Sequence, residues 1–382
     1  MKDTNNRFFF NSIMAVSFAA VLVIASLASL IREDIVFSDT ENRNLAQRPS
    51  WSLDAYLDHS FMKDFNTYMN DQFIGRDSWV KLKTNAELAL GKKELNQVYK
   101  GSDGSLFEPF KPFPAKSRHQ TIAAMNAFAA AYPDVKFQMM LIPNAVAIQQ
   151  EKLPSHISDP DQLSIMNKTR QELNGYSWID AVTPLQKQKD KYLYYRSDHH
   201  WTSTAAHYVF EEYAKQNKLD TIDHKFEPYL ISRDFYGTLA SRSSYYSGNP
   251  DEIYMYASTN KEDKSTIAYV EEQKKSASFY DQEKLKTKDQ YAVFFGGNHP
   301  LMEINTTSAV DKTLLIFKDS YANCFIPFLT PYYSRIVVVD PRYYAGDIHQ
   351  LMKDQSVQEV LFLYNANTFY QDTSLDVLLG SK

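Results

Sequence analysis

Four short stretches of this chain are almost wholly apolar: Val135-Lys136-Phe137-Gln138-Met139-Met140-Leu141-Ile142-Pro143, Thr313-Leu314-Leu315-Ile316-Phe317, Arg335-Ile336-Val337-Val338-Val339 and Glu359-Val360-Leu361-Phe362-Leu363-Tyr364. A strand with one wet face alternates apolar and polar residues, and these do not. They read as strands buried on both faces, the pattern of a parallel sheet covered by helices. Helical patterns lie between such runs: an amphipathic stretch over 117–132, a second over 160–173, a third over 203–216 capped by Thr202 or Ser203, and a helix from Tyr321. A short strand is expected at 177–180. The αβαβ rhythm predicts an α/β fold with a largely parallel sheet. Over 226–311 that rhythm breaks. Strand-like pieces at 253–256, 266–270 and 291–295, polar turns and Gly296-Gly297-Asn298 make this region a β-rich insertion.

The N-terminus is of another kind. Residues 8–31 carry no charge until Arg32, and at about 1.5 Å per residue they reach about 36 Å as a helix, enough to cross a bilayer. Ser26-Leu27-Ala28 weakly resembles a signal-peptide cleavage site, but the apolar run is long for one, so an uncleaved anchor is expected. Lys2 and Arg7 ahead of it put the N-terminus in the cytoplasm and the main domain outside the membrane. The expected division is a cytoplasmic tip and membrane anchor over 1–34 and one extracytoplasmic domain over 35–382. Residues 35–51 read as an extended stalk. Ser52 is a plausible cap for a helix in which Leu57, Phe61, Phe65, Met69 and Phe73 recur every four residues, and a second helix fits 78–90. The turn between them, 71–76, suggests a structural Asp71–Arg76 pair. Over 96–107 a hairpin is expected, turning at Ser102-Asp103-Gly104-Ser105.

Composition narrows the partner. Across 382 residues the net charge is −5, which argues against nucleic acid. The single cysteine, Cys324, allows neither an internal disulfide nor a cysteine-based metal cluster. The 26 tyrosines offer flat faces with a hydroxyl, suited to sugar rings and equally to packing a core.

Chemistry concentrates in two places. In Tyr194-Tyr195-Arg196-Ser197-Asp198-His199-His200-Trp201-Thr202, an acid and two imidazoles precede a helical pattern. Residues i and i+2 of an extended turn project the same way, so Asp198 can orient His200 while His199 points elsewhere. The second place is Phe317-Lys318-Asp319-Ser320-Tyr321, where a buried strand runs into a helix. Ligands of open α/β sheets bind beyond such strand ends, so Ser320 is either a nucleophile served by His200 or a simple cap. Asn365, after the last strand, is a candidate oxyanion donor or a turn asparagine. Trp201 either lines the pocket or packs the core. A metal held by Asp198, His199 and His200 is a rival reading, weakened because adjacent histidines rarely converge on one ion.

These residues resemble a known family. Glu41-Asn42-Arg43 with Leu45 and Pro49, Asp71-Gln72-Phe73 with Arg76, the Asp198-His199-His200-Trp201 stretch, Phe235-Tyr236-Gly237-Thr238-Leu239-Ala240-Ser241, Phe295-Gly296-Gly297-Asn298, Lys318-Asp319-Ser320-Tyr321 and Pro341-Arg342-Tyr343-Tyr344 are similar to the DHHW-motif proteins. Those are related to alginate O-acetyltransferase proteins of the SGNH hydrolase-like superfamily. The resemblance implies a three-layer α/β/α domain with a triad in permuted order, Asp198 and His200 first and Ser320 later. Asn365, His199, Trp201 and Tyr321 would then surround the oxyanion or substrate. Lys318 stands where the superfamily has glycine, and the usual Gly-x-Asn-Asp block is absent. The implied activity is serine-dependent acyl transfer, by an O-acetyltransferase or acetylesterase, on a cell-surface or secreted polysaccharide. It calls for no cofactor, and its partner would be a membrane-bound O-acyltransferase supplying acetyl groups. The alternative is a non-catalytic glycan-binding or scaffolding subunit, with tyrosines 245, 246, 254 and 256 forming its sugar groove.

Overall fold

The computed structural model describes residues 2–112, 114–155, 157 and 160–380, in two compact units that divide between Lys92 and Lys93. The side chains of residues 2–8, and with them the Lys2 and Arg7 charges, lie outside what is described.

The first unit begins with helix α1 (Lys2–Ile31). Its Phe9–Ile31 portion is long and apolar enough to cross a membrane. The stalk folds back as a two-stranded ribbon, Phe37–Ser38 against Arg43–Asn44. Helix α2 (Leu53–Leu57) starts at Ser52, whose hydroxyl accepts the Ala55 N–H. The four-residue recurrence that suggests one helix is split at His59, whose φ of 67° stops α2 before α3 (Ser60–Asp71). Helix α4 (Arg76–Ala89) follows Gly75. Asp71 takes a bidentate bond from Arg43 at 2.6 and 2.8 Å and the Ala46 N–H at 2.9 Å. Arg76 bonds Glu41 instead, and stands 3.6 Å from Asp71. The expected Asp71–Arg76 pair is one edge of a four-residue charge cluster tying the stalk to the helices.

In the second unit an eight-stranded sheet forms the middle layer. In chain order its strands are β1 (Lys136–Ile142), β2 (Tyr176–Trp178), β3 (Ser265–Tyr269), β4 (Lys274–Ser276), β5 (Leu301–Thr306), β6 (Thr313–Lys318), β7 (Arg335–Val339) and β8 (Glu359–Asn365). Their spatial order is β4-β3-β5-β7-β6-β8-β1-β2. From β7 to β2 every pairing is parallel; β5, β3 and β4 add on antiparallel. The four apolar runs are the central strands β1, β6, β7 and β8. Alternate residues feed two cores, as burial on both faces demands. Met140, Ile142, Ile316, Val338 and Leu363 pack toward helix α5 (Ser203–Asn217). Met139, Leu141, Phe317, Val339 and Phe362 pack on the other side with the helix Ala115–Ala131. The result is a mixed α/β fold with a large, mostly parallel sheet between helical layers.

Three local expectations differ. Part of the β-rich region joins the main sheet as β3–β5, while Phe226–Phe235 and Asp251–Ser258 pair as a separate ribbon. Residues 291–295 do not make a strand: Gln290–Val293 is a 3-10 turn, and positive φ at Phe295 (62°), Gly296 (83°) and Gly297 (127°) reverses the chain. The helix expected from Tyr321 is a pair of 3-10 segments, Ser320–Cys324 and Ile326–Tyr332. Pro327 and Pro331 lack the N–H groups an α-helix would use there. The turn at Asp103 (φ 54°) and Gly104 (φ 73°) forms as expected, inside a three-stranded sheet.

Candidate active site

The Asp-His-His-Trp loop is closed by backbone before any side chain acts. Tyr194 and Trp201 pair across its neck, the Thr202 N–H bonds the Leu193 carbonyl at 2.8 Å and the Tyr195 N–H that of His200 at 3.2 Å. From outside, the fully buried Asp251 carboxylate accepts the Tyr192 hydroxyl (2.5 Å), the backbone N–H groups of Arg196 (2.9 Å) and Ser197 (2.8 Å), and the Ser197 hydroxyl (2.5 Å). One carboxylate thus ties Tyr192, Arg196 and Ser197 together at the start of the loop.

Within that frame Asp198 Oδ1 faces His200 Nδ1 at 2.5 Å and accepts the His200 backbone N–H at 2.9 Å. His200 Nε2 lies 2.7 Å from Ser320 Oγ. Asp198 Oδ2 accepts both the Thr238 N–H (2.7 Å) and hydroxyl (2.9 Å). A Cβ on Gly237 would fall 2.2 Å from Asp198, so only glycine lets this backbone approach so closely. His199 does not point away as the alternation argument expects, because the chain bends here instead of running extended: its Nδ1 bonds the Thr238 hydroxyl at 2.8 Å and stands 3.5 Å from Asp198 Oδ1, and its ring lies 3.9 Å from that of His200. The Tyr291 ring stacks on His200 at 3.7 Å and 12°, and its hydroxyl donates to the Ser320 carbonyl at 3.1 Å. Tyr291 thus braces the imidazole and the serine together.

Ser320 stands just past the carboxyl end of β6, half-buried. The turn that presents it is fixed by Asp319, fully buried, which accepts the Tyr321 N–H (2.8 Å), the Asn365 N–H (2.8 Å) and Asn365 Nδ2 (2.5 Å). Asn365 gives its amide's other hydrogen to the Thr368 hydroxyl at 2.8 Å and caps the next helix by accepting the Thr368 N–H. Its donors are therefore directed at Asp319 and Thr368. Trp201 and Tyr321 have no exposed surface. They stack on one another, the Trp201 indole N–H bonds the Tyr321 carbonyl at 2.9 Å, and the Tyr321 hydroxyl bonds the His199 carbonyl. Both support the site from behind and tie the two motif stretches together.

Lys318 is completely buried behind the serine. Its Nζ bonds Asn298 Oδ1 (2.9 Å) and Asn323 Oδ1 (2.8 Å) and stands 3.5 Å from Asp340, itself clamped by Arg342 at 2.6 and 2.8 Å. The long side chain at the position where glycine is usual thereby anchors the Gly296-Gly297-Asn298 turn. Burial pulls Lys318 down to about 8 against the attraction of Asp340.

Burial alone would raise the Asp198 carboxyl. The two imidazoles and the Thr238 donors outweigh it and hold Asp198 well below the usual carboxylate range. Burial, helped by His199, pushes the His200 imidazole below its ordinary value against the pull of Asp198. The arrangement suits a neutral base beside an ionised acid. Asp198, His199 and His200 do bring potential metal-binding atoms within 4.8 Å of one another. Two of those groups are committed, however: Asp198 Oδ1 to His200, and His200 Nε2 to Ser320.

Sequence reasoning missed Asp251, Gly237, Thr238 and Tyr291. Gly237 and Thr238 lie in a stretch that carried the family resemblance, but Asp251 and Tyr291 sit among ordinary residues of the irregular region and gave no signal.

The sequence profile of the DHHW protein family matches residues 82–339. No curated protein matches the chain. Among solved structures, a DHHW family protein from Eubacterium siraeum is 22% identical with a TM-score of 0.63, over 74% of this chain and 95% of that one. Bacillus cereus PatB1, solved with a sulfonyl adduct, is 18% identical with a TM-score of 0.62, over 72% of this chain and 97% of its own. The O-acetyltransferase domain of Pseudomonas putida AlgJ aligns more loosely, 13% identical with a TM-score of 0.45, over 75% of this chain and 99% of that one. Since the profile spans well over half of the sequence, and the fold agrees, this chain belongs to the DHHW protein family.

Proposed function

We propose that this is a membrane-anchored, extracytoplasmic acyl-transfer protein, an O-acetyltransferase or acetylesterase acting on a cell-surface or secreted polysaccharide. The observation that carries the reading is the continuous relay from Asp198 through His200 to Ser320, at 2.5 and 2.7 Å. In the proposed reaction His200 Nε2 takes the Ser320 proton as Oγ bonds the acyl carbonyl carbon. The leaving group departs with that proton, giving acetyl-serine. A sugar hydroxyl, or water, then loses its proton to His200 and bonds the acetyl carbon; the bond from that carbon to Ser320 Oγ breaks, and His200 returns the proton to Oγ. Asp198 fixes the tautomer and supports the transient imidazolium. Asn365 is proposed to act through Asp319, holding the turn that presents Ser320. The acetyl source is proposed to be a membrane-bound O-acyltransferase.

The test is acetyl transfer from p-nitrophenyl acetate to a panel of oligosaccharides, followed by nitrophenolate release and by mass spectrometry of the sugars. The wild type is expected to release nitrophenolate and to acetylate at least one sugar or water, and Ser320→Ala to do neither. Equal turnover by the two proteins would refute the reading.

The pH profile carries a second expectation. Only neutral His200 can accept the serine proton, and its folded value is depressed below 6.5. Rates of kcat/KM should therefore be flat from neutral pH down through 6.5 and fall only below it. A limb centred above 6.5 would contradict the burial argument.

A further inference from the structure

The first unit exposes a band of large apolar side chains just beyond its long helix: Trp51 is 65% exposed, Trp79 58%, Leu82 58% and Ile74 40%. Two hydrogen bonds fix where that band sits along α1. The Ile74 N–H donates to Ser29 Oγ at 2.9 Å, and Arg48 Nη2 donates to the Leu30 carbonyl at 3.0 Å. From Phe9 to Ser29 a helix rises about 30 Å, the thickness of a bilayer's hydrocarbon core. With Phe9–Ile31 across a membrane, Ser29 and Leu30 stand at the headgroup boundary. The Trp79 indole nitrogen lies 3.9 Å from where a Cβ on Gly75 would be, next to the Ile74 anchored on Ser29. Trp51 follows Arg48 closely, within about 10 Å of extended chain. Trp79 therefore lies near the level at which tryptophan is favoured in a bilayer, between acyl chains and polar headgroups, and Trp51 is within reach of that level.

We infer that the 73–75 turn with the first residues of α4, and the Trp51 edge of the first unit, dock on the outer leaflet of the membrane that α1 crosses. The partner is the phospholipid surface itself, at the level of the carbonyls and first methylenes. The surface continues directly from the membrane span, and its exposed tryptophans and aliphatic residues match that layer. Docking there would hold the stalk cluster of Arg43, Asp71, Arg76 and Glu41 close to the membrane. The inference rests on the anchor part of the proposed function and not on the catalytic part.

The test uses the full chain in phosphatidylcholine bilayers whose acyl chains carry bromine either near the headgroup or deep in the core. Wild-type tryptophan emission is expected to be quenched by the shallow bromines. Trp51→Phe and Trp79→Phe should each remove part of that quenching, and the double variant nearly all of it. Phe18→Trp, in mid-span, should add quenching by the deep bromines and so report that α1 is embedded. If Phe18→Trp is quenched while the double variant loses no shallow quenching, the surface faces something other than lipid and the inference is overturned. If Phe18→Trp is not quenched, the anchor reading fails and takes the inference with it.

Discussion

Asp198→Asn is expected to lower acyl-transfer kcat by about 10⁴ with the fold intact. Both oxygens of this carboxylate face donors: Oδ1 the His200 N–H and Nδ1, Oδ2 the Thr238 N–H and hydroxyl. An amide must turn its NH₂ toward one pair. Facing Thr238, it opposes a backbone donor in a closed, buried site. Facing His200, it donates to Nδ1, drives the imidazole proton onto Nε2 and leaves no lone pair for Ser320. Each arrangement opposes one backbone N–H, that of Thr238 or that of His200; the second is the cheaper because Nδ1 is free to accept, whereas the Thr238 hydroxyl already pairs with His199. The loss is one of tautomer rather than of packing, so KM should move far less than kcat. Steady-state kinetics beside a thermal-unfolding scan make the check. A kcat within tenfold of wild type would show that Asp198 does not govern the base.

Lys318→Met is expected to cost about 3–5 kcal/mol of stability in chemical denaturation. Methionine fills a similar volume, so the loss is electrostatic and not a cavity. The ammonium satisfies Asn298 and Asn323 and balances Asp340 inside a core where none of it meets water. Without it the two amide oxygens lose a strong donor and Asp340 is left with Arg342 alone. The Gly296-Gly297-Asn298 turn should loosen behind Ser320, so acyl transfer should fall as well. A change below about 1 kcal/mol would mean that the network rearranges around the missing charge at little cost.

The contrast between these two residues shows what a sequence can reveal of such a site. That Asp198, His200 and Ser320 would converge was legible because their spacing and their place at strand and turn ends restrict where they can point. An i, i+2 pair in a turn can meet, and the end of a buried parallel strand faces a ligand. The strands themselves were legible because burial on both faces leaves no room for polar residues. Lys318 was visible only as a departure from a motif, since its partners Asn298, Asn323 and Asp340 come from three separate segments. Tyr291 lay in what read as a strand, and nothing local says that the chain there turns sharply to lay a ring on His200. Asn365 shows the converse. Its position after β8 suits an oxyanion donor, but its hydrogen bonds are made with Asp319 and Thr368, which only tertiary structure reveals. His59 and the prolines 327 and 331 show how one residue's backbone overrides a helical pattern around it.

The central claim is that Ser320 is an activated nucleophile, and covalent labelling tests it most directly. The full chain would be treated with a fluorophosphonate or a sulfonyl fluoride, and the modified peptide located by mass spectrometry. Stoichiometric labelling confined to Ser320, abolished in His200→Ala and in heat-denatured protein, is the predicted result. A folded protein that stays unlabelled at Ser320, or is labelled equally well without His200, would contradict the account and leave glycan binding as the question to pursue.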